Sequence, residues 1–452
     1  MAGQAYGVLA EEMASRFLDV LPPAIERLHW DRERLAAFQR AQLHETLAFV
    51  AERSRWHASR LAGIDLDAVG LDDLSPLPVM TKRGLMANWD DVVTDARLNL
   101  ALARSHLTRL DEGPAFLLAE YHVLTTGGST GEPGMFCWSR DELVRWLASV
   151  GRWTVAGGQA PPQRTAWIGA RSLRHPSAAF AVLLAVMSGG TPLTVPLDQP
   201  LGEIVARLNE LQPDSLWVVS SMLPALVLAA REGSLRIDVK AISVGGDPLD
   251  PGIAATAADV FEAPVIEGYP TTDAGQIAQQ VLGEAGLYVN EDFLIVEPVD
   301  EEDQPVAPGE DSHHVLVTSL HQRTLPLIRY RIDDRLRIDT EGGRYQSFRR
   351  IATIDGRSDD LFEYGAVRVH PHAFRAVFAR HDAIKDYQVT QTSGGADVAV
   401  AATLDLDECA VLGELVGALG RAGLPNAEVV ITVHDELPRT AVGKRLRFVP
   451  MR

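Results

Sequence analysis

Two separated clusters in this chain carry residue types suited to one reaction. Near the C-terminus, Leu437-Pro438-Arg439-Thr440 leads into Gly443-Lys444, with Arg445 and Arg447 just beyond. Far upstream runs Thr125-Thr126-Gly127-Gly128-Ser129-Thr130-Gly131-Glu132-Pro133. Glycines let backbone N–H groups approach phosphate oxygens, and the threonine and serine hydroxyls add short donors, so this run is suited to wrapping a polyphosphate. A distant lysine that neutralises the bound phosphate would complete an ATP-using site. Taken separately, each cluster has an ordinary alternative: a polar turn for the first, a solvated tail lysine for the second.

Further polar residues fall where a nucleotide site needs them. Gly245-Gly246-Asp247-Pro248 and Glu267-Gly268-Tyr269-Pro270-Thr271-Thr272-Asp273 each follow a short β-rich run. Ligands of open α/β sheets bind at such carboxyl ends. Arg329-Tyr330-Arg331-Ile332-Asp333-Asp334 ends on a carboxylate able to accept from two hydroxyls at once. His370 and His372 flank Pro371 but lack cysteine or carboxylate companions at zinc spacing, so they read as the start of a helix. His175 follows Arg174 near a predicted strand end, where an acid pocket and the surface are equally open to it.

The elements that must position these residues alternate from Arg164 onward. Predicted strands at 166–169, 192–195, 216–219, 239–244 and 264–266 are separated by predicted helices at 178–187, 201–211, 223–231 and 251–260, a βαβ pattern that implies a parallel sheet. Apolar residues at helical spacing over 9–20 and 35–53 predict an α-helical N-terminal stretch, and a short helix is expected from Lys82. After Gly275, runs at 287–289, 293–296 and 314–318 predict a smaller antiparallel unit. From Gly356 the order strand, helix, two strands, helix, strand predicts a compact α+β module.

Composition sets the outer bounds. A chain of 452 residues calls for two or three folding units, and 46% hydrophobic with 23% charged residues is ordinary for a globular enzyme. The net charge of −19 disfavours nucleic acid and anionic membrane as partners. It also requires that any ATP site be locally positive. Two distant cysteines, Cys137 and Cys409, argue against a disulfide framework and suit a reducing compartment. No signal-like segment opens the chain, and the apolar run at 178–187 is too short to span a bilayer, so a cytoplasmic protein is expected.

In order and spacing these blocks resemble the adenylate-forming superfamily of acyl-CoA synthetases, adenylation domains and luciferases, and within it the phenylacetate–CoA ligase-like branch. Glu52-Arg53-Ser54, Leu77-Pro78-Val79-Met80-Thr81-Lys82 and Gly356-Arg357-Ser358-Asp359-Asp360 join the blocks above in that likeness. The resemblance implies a large N-terminal adenylate-forming body, residues 1–355, with a parallel βαβ sheet and a smaller antiparallel β unit. A small mobile α+β C-terminal lid, residues 356–452, would carry Lys444 as the catalytic lysine. Thr125, Thr126, Gly127, Gly128, Ser129, Thr130, Gly131 and Thr272 would hold the ATP phosphates. Gly246, Asp247, Pro248, Gly268, Tyr269, Asp334 and Arg357 would hold adenine and ribose. Asp273 would serve magnesium, Asp359 the lid hinge and Gly365 the acceptor path. Tyr121, His175, Gly245 and Pro270 are the residues assigned to the acid pocket.

The implied reaction activates a small carboxylic acid, aromatic or arylalkanoic by branch likeness, as an acyl-adenylate, then passes it to coenzyme A. The cofactors that the resemblance implies are ATP, Mg²⁺ and, as the default acceptor, coenzyme A. A homodimer is a base-rate expectation. The sequence departs from the family pattern at Pro270 (usually glycine), Asp273 (usually glutamate) and Ile332-Asp333 (usually Thr-Gly). These departures leave room for another acceptor (a carrier-protein thiol, an amine or a small oxyanion) or for a non-catalytic ATP-binding relative.

Overall fold

The computed structural model describes residues 2–126, 134–159, 164–197, 199–357, 362–365, 367–369, 372–378, 381, 383–402, 406–434, 437 and 447–451. The central element is a nine-stranded sheet. Its strands run, edge to edge, Asp334–Ile338, Arg350–Arg357, Leu287–Val289, Gly275–Gln280, Val265–Thr271, Ala241–Gly245, Ser215–Val219, Thr165–Gly169 and Leu193–Pro196. The last five are mutually parallel, and pairing turns antiparallel from Val265–Thr271 toward the other edge.

The parallel half obeys the period of two. Ala166, Ile168, Leu216, Val218, Ile242 and Val244 point to one face and form a core with Ile204, Leu208, Leu223, Leu226 and Ala257 of the helices Leu201–Leu211, Leu223–Arg231 and Pro251–Phe261. The alternate residues Thr165, Trp167, Ser215, Trp217, Val219 and Ser243 face the other way, toward the helices Arg140–Ala156 and Pro176–Met187 and a cavity. The N-terminal helix Ala2–Arg27 packs on this side. It is fixed by Arg27, which donates to the Asp292 carboxylate, itself paired at 2.6 Å with the fully buried Arg152 of Arg140–Ala156. Two arginines around one buried carboxylate satisfy the charges that burial would otherwise make costly.

Two expectations are corrected. Leu287–Val289 does not belong to a separate antiparallel unit but is a strand of the main sheet, and a three-stranded sheet is formed by Leu294–Val299, His314–Ser319 and Tyr330–Ile332. The strand expected to stop at Ile266 runs from Val265 through Thr271, so Tyr269 and Pro270 are strand residues and only the Thr272-Asp273-Ala274 turn follows. Proline is tolerated because the register shifts between Tyr269 and Pro270, at an irregularity where a missing N–H breaks no ladder bond.

The C-terminal residues build their own sheet in the order Glu428–His434, Gly395–Ala402, Ile384–Gln391, Phe448–Val449, with helices His372–Phe378 and Glu408–Arg421. Phe362, Phe374, Val389, Val398, Leu415 and Phe448 share a core distinct from those of the larger part. Cys137 is buried, Cys409 is exposed, and both are free thiols. No helix among the described residues is long and apolar enough to cross a membrane.

Candidate active site

A cavity of about 2190 Å³ opens at the carboxyl ends of the parallel strands and brings several of the singled-out segments together. Thr126, His175, Gly246, Asp247, Pro248, Gly268, Tyr269, Pro270, Thr272, Asp273 and Asp334 all line it.

The hydroxyl- and glycine-rich run joins two antiparallel strands, Tyr121–Thr125 and Met135–Ser139. Its ends are pinned. The Thr126 N–H donates to the Gly134 carbonyl at 3.0 Å, and the Gly134 N–H donates to Thr126 Oγ1 at 2.8 Å. Thr125 is held by its N–H, which donates to the Arg174 carbonyl at 2.7 Å. Residues 127–133, with the candidates Gly127, Gly128, Ser129, Thr130 and Gly131, lie outside the described residues.

Lys82 was not assigned a role from sequence, yet its Nζ donates to Thr126 Oγ1 at 3.1 Å, at the edge of that run and on the cavity wall. Its position follows from local structure. Met80 bridges Tyr330, with its N–H donating to the Arg329 carbonyl and its carbonyl accepting from the Arg331 N–H, at 2.9 and 2.8 Å. Thr81 then caps the helix Lys82–Ala87 by accepting from the Gly84 N–H. Gly134 leaves room for the lysine: a side chain there would meet Lys82 Cε at 2.7 Å and the Phe136 ring at 2.8 Å. The signal in the sequence was Leu77-Pro78-Val79-Met80-Thr81-Lys82 itself, a helix start delivering a cation; its target was not readable.

On the opposite wall the buried Tyr269 hydroxyl donates to Asp334 Oδ2 at 2.6 Å. Asp334 sits directly across the antiparallel pair from Arg357, so two candidates for the ribose share one register position; only the backbone of Arg357 is described. Gly246 takes φ +86°, a left-handed conformation that suits glycine, and lets the chain turn so that the Asp247 carboxylate accepts from Ser221 Oγ at 2.8 Å. Arg329 and Tyr330 are interior, with Arg329 only 4% exposed and paired with Glu297 at 3.1 Å, so this block is no surface strand.

Asp273 lies in the turn between strands on the cavity wall, and its carboxylate pairs with no described cation. No cluster of three or more metal-ligating side chains occurs among the described residues. Magnesium takes one or two carboxylates alongside phosphate oxygens and waters, the kind of group Asp273 offers.

Glu267 was missed altogether. It points into the cavity between Ile266 and Gly268, and burial pushes its carboxyl up to about 7, only partly offset by a hydrogen bond from the Leu249 backbone. Trp167 and Trp217 were also missed. Their rings stack at 4.8 Å and 19° on the cavity face of the sheet.

Two residues assigned to the acid pocket lie off the cavity lining. The Tyr121 hydroxyl donates to Asp95 Oδ2 at 2.5 Å and its ring is buried in the core, away from the cavity lining. Gly245 lies behind the wall: a side chain there would meet the Gly268 carbonyl at 3.0 Å and the Pro270 ring at 3.2 Å, so close packing explains the glycine. His175 lines the cavity and also caps the helix Pro176–Met187, its ring accepting from the Ser177 N–H. Gly365 takes φ +64° in an exposed hairpin between Phe362–Tyr364 and Val367–Val369, away from the cavity lining. Asp359, Lys444 and His370 lie outside the described residues, and His372 begins its helix. The residues just beyond Lys444 are informative: Arg447, Phe448, Val449 and Pro450 line the cavity, and the Arg447 guanidinium sits 4.9 Å from the Tyr387 ring.

Residues 120–310 match the family model described as AMP-binding enzyme. Phenylacetate-coenzyme A ligase of Escherichia coli (strain K12) is 24% identical over 367 residues, covering 75% of each chain. The enzyme of that name from Pseudomonas putida is 24% identical over 323 residues, 68% of this chain and 66% of that one. The chain thus carries an AMP-binding enzyme region and is similar to phenylacetate-coenzyme A ligases over about three quarters of its length. Among solved structures, a 2-hydroxyisobutyryl-CoA ligase in its postadenylation state, in complex with R3-HIB-AMP, superposes with TM-score 0.69 at 16% identity, covering 94% of this chain and 91% of that one. An anthranilate CoA ligase in complex with anthranoyl-AMP gives 0.54 at 15% identity, over 72% and 65%. These likenesses establish a shared fold.

Proposed function

We propose that the enzyme activates an apolar carboxylic acid with ATP, releasing pyrophosphate, and transfers the acyl group from the adenylate to coenzyme A. The observation that carries this reading is convergence. Lys82 with Thr126, the Tyr269–Asp334 pair, Asp273 and the C-terminal residues Arg447 to Pro450 border one cavity at the carboxyl ends of the parallel strands.

In the first half-reaction a carboxylate oxygen of the acid bonds to the α-phosphorus as the bond to the bridging oxygen breaks and pyrophosphate departs. Two anions must meet. Lys82, on the described wall, offsets phosphate charge beside Thr126, and Lys444 fills the family's place between the carboxylate and the α-phosphate. Such preorganised donors favour the transition state because charge builds where they already point. Magnesium, held by Asp273, would neutralise the leaving pyrophosphate. Tyr269 packs against the adenine, and Asp334, fixed by the tyrosine hydroxyl, accepts from the ribose hydroxyls. In the second half-reaction the thiol of coenzyme A bonds to the acyl carbon and AMP leaves. Residues 1–355 act as the body and 356–452 as a lid hinged at Asp359, which withdraws Lys444 and brings Gly365 to the acceptor path, a hinge motion concentrated in few residues.

The test is acid-dependent ATP–pyrophosphate exchange, followed by thioester detection when coenzyme A is added. The reading predicts both. Exchange without thioester would replace coenzyme A by another acceptor; no exchange with any acid would refute adenylation.

A further inference from the structure

The cavity extends well beyond the residues assigned to the nucleotide. Ligand sites generally occupy about 300–1,000 Å³, against about 2190 Å³ here. The surplus has a definite shape. Trp217 and Ser215 lie two and four residues back along their strand from Val219, and Trp167 and Thr165 stand beside them in register on the next strand. At about 3.3 Å per residue, this wall extends roughly 13 Å from the carboxyl edge, where the nucleotide candidates stand, to the amino edge of the sheet.

Three helices present apolar stripes to the same space. Phe180, Ala181, Leu184 and Ala185 come from Pro176–Met187; Trp146, Leu147, Val150 and Gly151 from Arg140–Ala156; Ala14, Phe17, Leu18 and Leu21 from the N-terminal helix. The last set follows i, i+3, i+4, i+7 and the other two i, i+1, i+4, i+5, each the spacing of one helical face. Such stripes ordinarily close on one another or on the sheet. These touch in part, Phe180 edge-on to Trp146 at 4.6 Å and Gly151 close against the Phe17 ring, and the cavity they border lies over a stacked tryptophan pair, with Leu18 at 68% and Val155 at 45% exposure on its rim. Polar groups along this stretch include Thr154, Ser243 beside Trp217 and, at the amino edge, Gln159, Arg164, Thr165 and Ser215.

We infer that the acid taken by this enzyme is an elongated apolar monocarboxylate whose body lies along the Trp167–Trp217 wall beneath the N-terminal helix. Its carboxylate stands at the nucleotide end and its tail extends about 13 Å toward Ser215. This deepens the adenylation reading and rests on it. Each methylene buried in the corridor contributes about 0.8 kcal/mol, close to fourfold in kcat/KM.

The test is pyrophosphate release across straight-chain acids from butanoate to hexadecanoate, with phenylacetate as the short aromatic reference, alongside tryptophan fluorescence during titration with hexadecanoate in the absence of ATP. The inference predicts kcat/KM rising at least tenfold from phenylacetate to the medium and long chains, and a saturable fluorescence change from the indole pair. Ser215→Phe at the far end and Ala181→Phe midway along the helix Pro176–Met187 are each predicted to shift the preferred chain length downward, Ala181→Phe by more. Two substitutions on different elements guard against misfolding of either one. Turnover of phenylacetate with no gain for longer acids, and no fluorescence change, would overturn the corridor while leaving adenylation intact. A fluorescence change without pyrophosphate release from any acid would support the corridor and refute adenylation.

Discussion

Glu267→Gln is the substitution whose effect the structure specifies most fully. Burial on the cavity wall raises the carboxyl from its ordinary 4.5 to about 7. Between those values the folded protein keeps a proton that the unfolded chain has lost. Stability therefore falls as the pH rises through this window and is level above it. The full cost of ionising the side chain in place is roughly 3 kcal/mol, at 1.36 kcal/mol per pH unit. Somewhat under half of it is present at pH 5.5 and essentially all by pH 8. Glutamine has the same shape and does not titrate. Denaturant unfolding of both proteins at pH 5.5 and pH 8 is predicted to show the variant gaining about 2 kcal/mol on the wild type between the two pH values. The same ionisation places a negative charge on the wall facing the nucleotide, so the KM for ATP is predicted to rise above pH 7 in the wild type and to stay flat in the variant. A stability difference independent of pH would refute the placement of this carboxylate in a dry wall.

Three further outcomes follow from named contacts. Lys82→Ala removes the cation beside Thr126 and is predicted to lower kcat/KM for ATP by about 10- to 100-fold, the value of one charged hydrogen bond, in a steady-state pyrophosphate assay; an unchanged value would take Lys82 out of the phosphate site. Gly245→Val drives a side chain against the Gly268 carbonyl and the Pro270 ring and is predicted to destabilise the fold by about 1–3 kcal/mol, as overpacking does, readable as a lowered Tm. Chelation of divalent ions is predicted to stop pyrophosphate release, magnesium to restore it, and Asp273→Asn to raise the magnesium concentration needed.

The βαβ alternation was legible because each strand and helix declares its period locally, and the segments carrying Asp247, Tyr269 and Asp334 were legible because turn-forming and polar residues cluster after β-rich runs. What escaped depends on residues distant in the chain. Pro270 suggested a turn, but a register shift against the neighbouring strand keeps it in the sheet. Glu267 is an ordinary strand glutamate until Leu249 and the cavity wall surround it. Trp167 and Trp217 fall in predicted strands, and nothing near them in sequence shows that their stacked rings line a cavity. Tyr121 looked available for a ligand because nothing near it in sequence reveals its bond to Asp95.

The claim that the cavity joins a carboxylate to the α-phosphate of ATP is tested most directly by following oxygen. An accepted acid labelled with ¹⁸O in both carboxylate oxygens is incubated with the enzyme, ATP, Mg²⁺ and coenzyme A, and the nucleotide products are weighed by mass spectrometry. Because the carboxylate oxygen bonds to phosphorus and the acyl carbon later leaves it, AMP carrying one ¹⁸O is predicted, together with pyrophosphate. Unlabelled AMP, or ADP and phosphate in its place, would contradict the account.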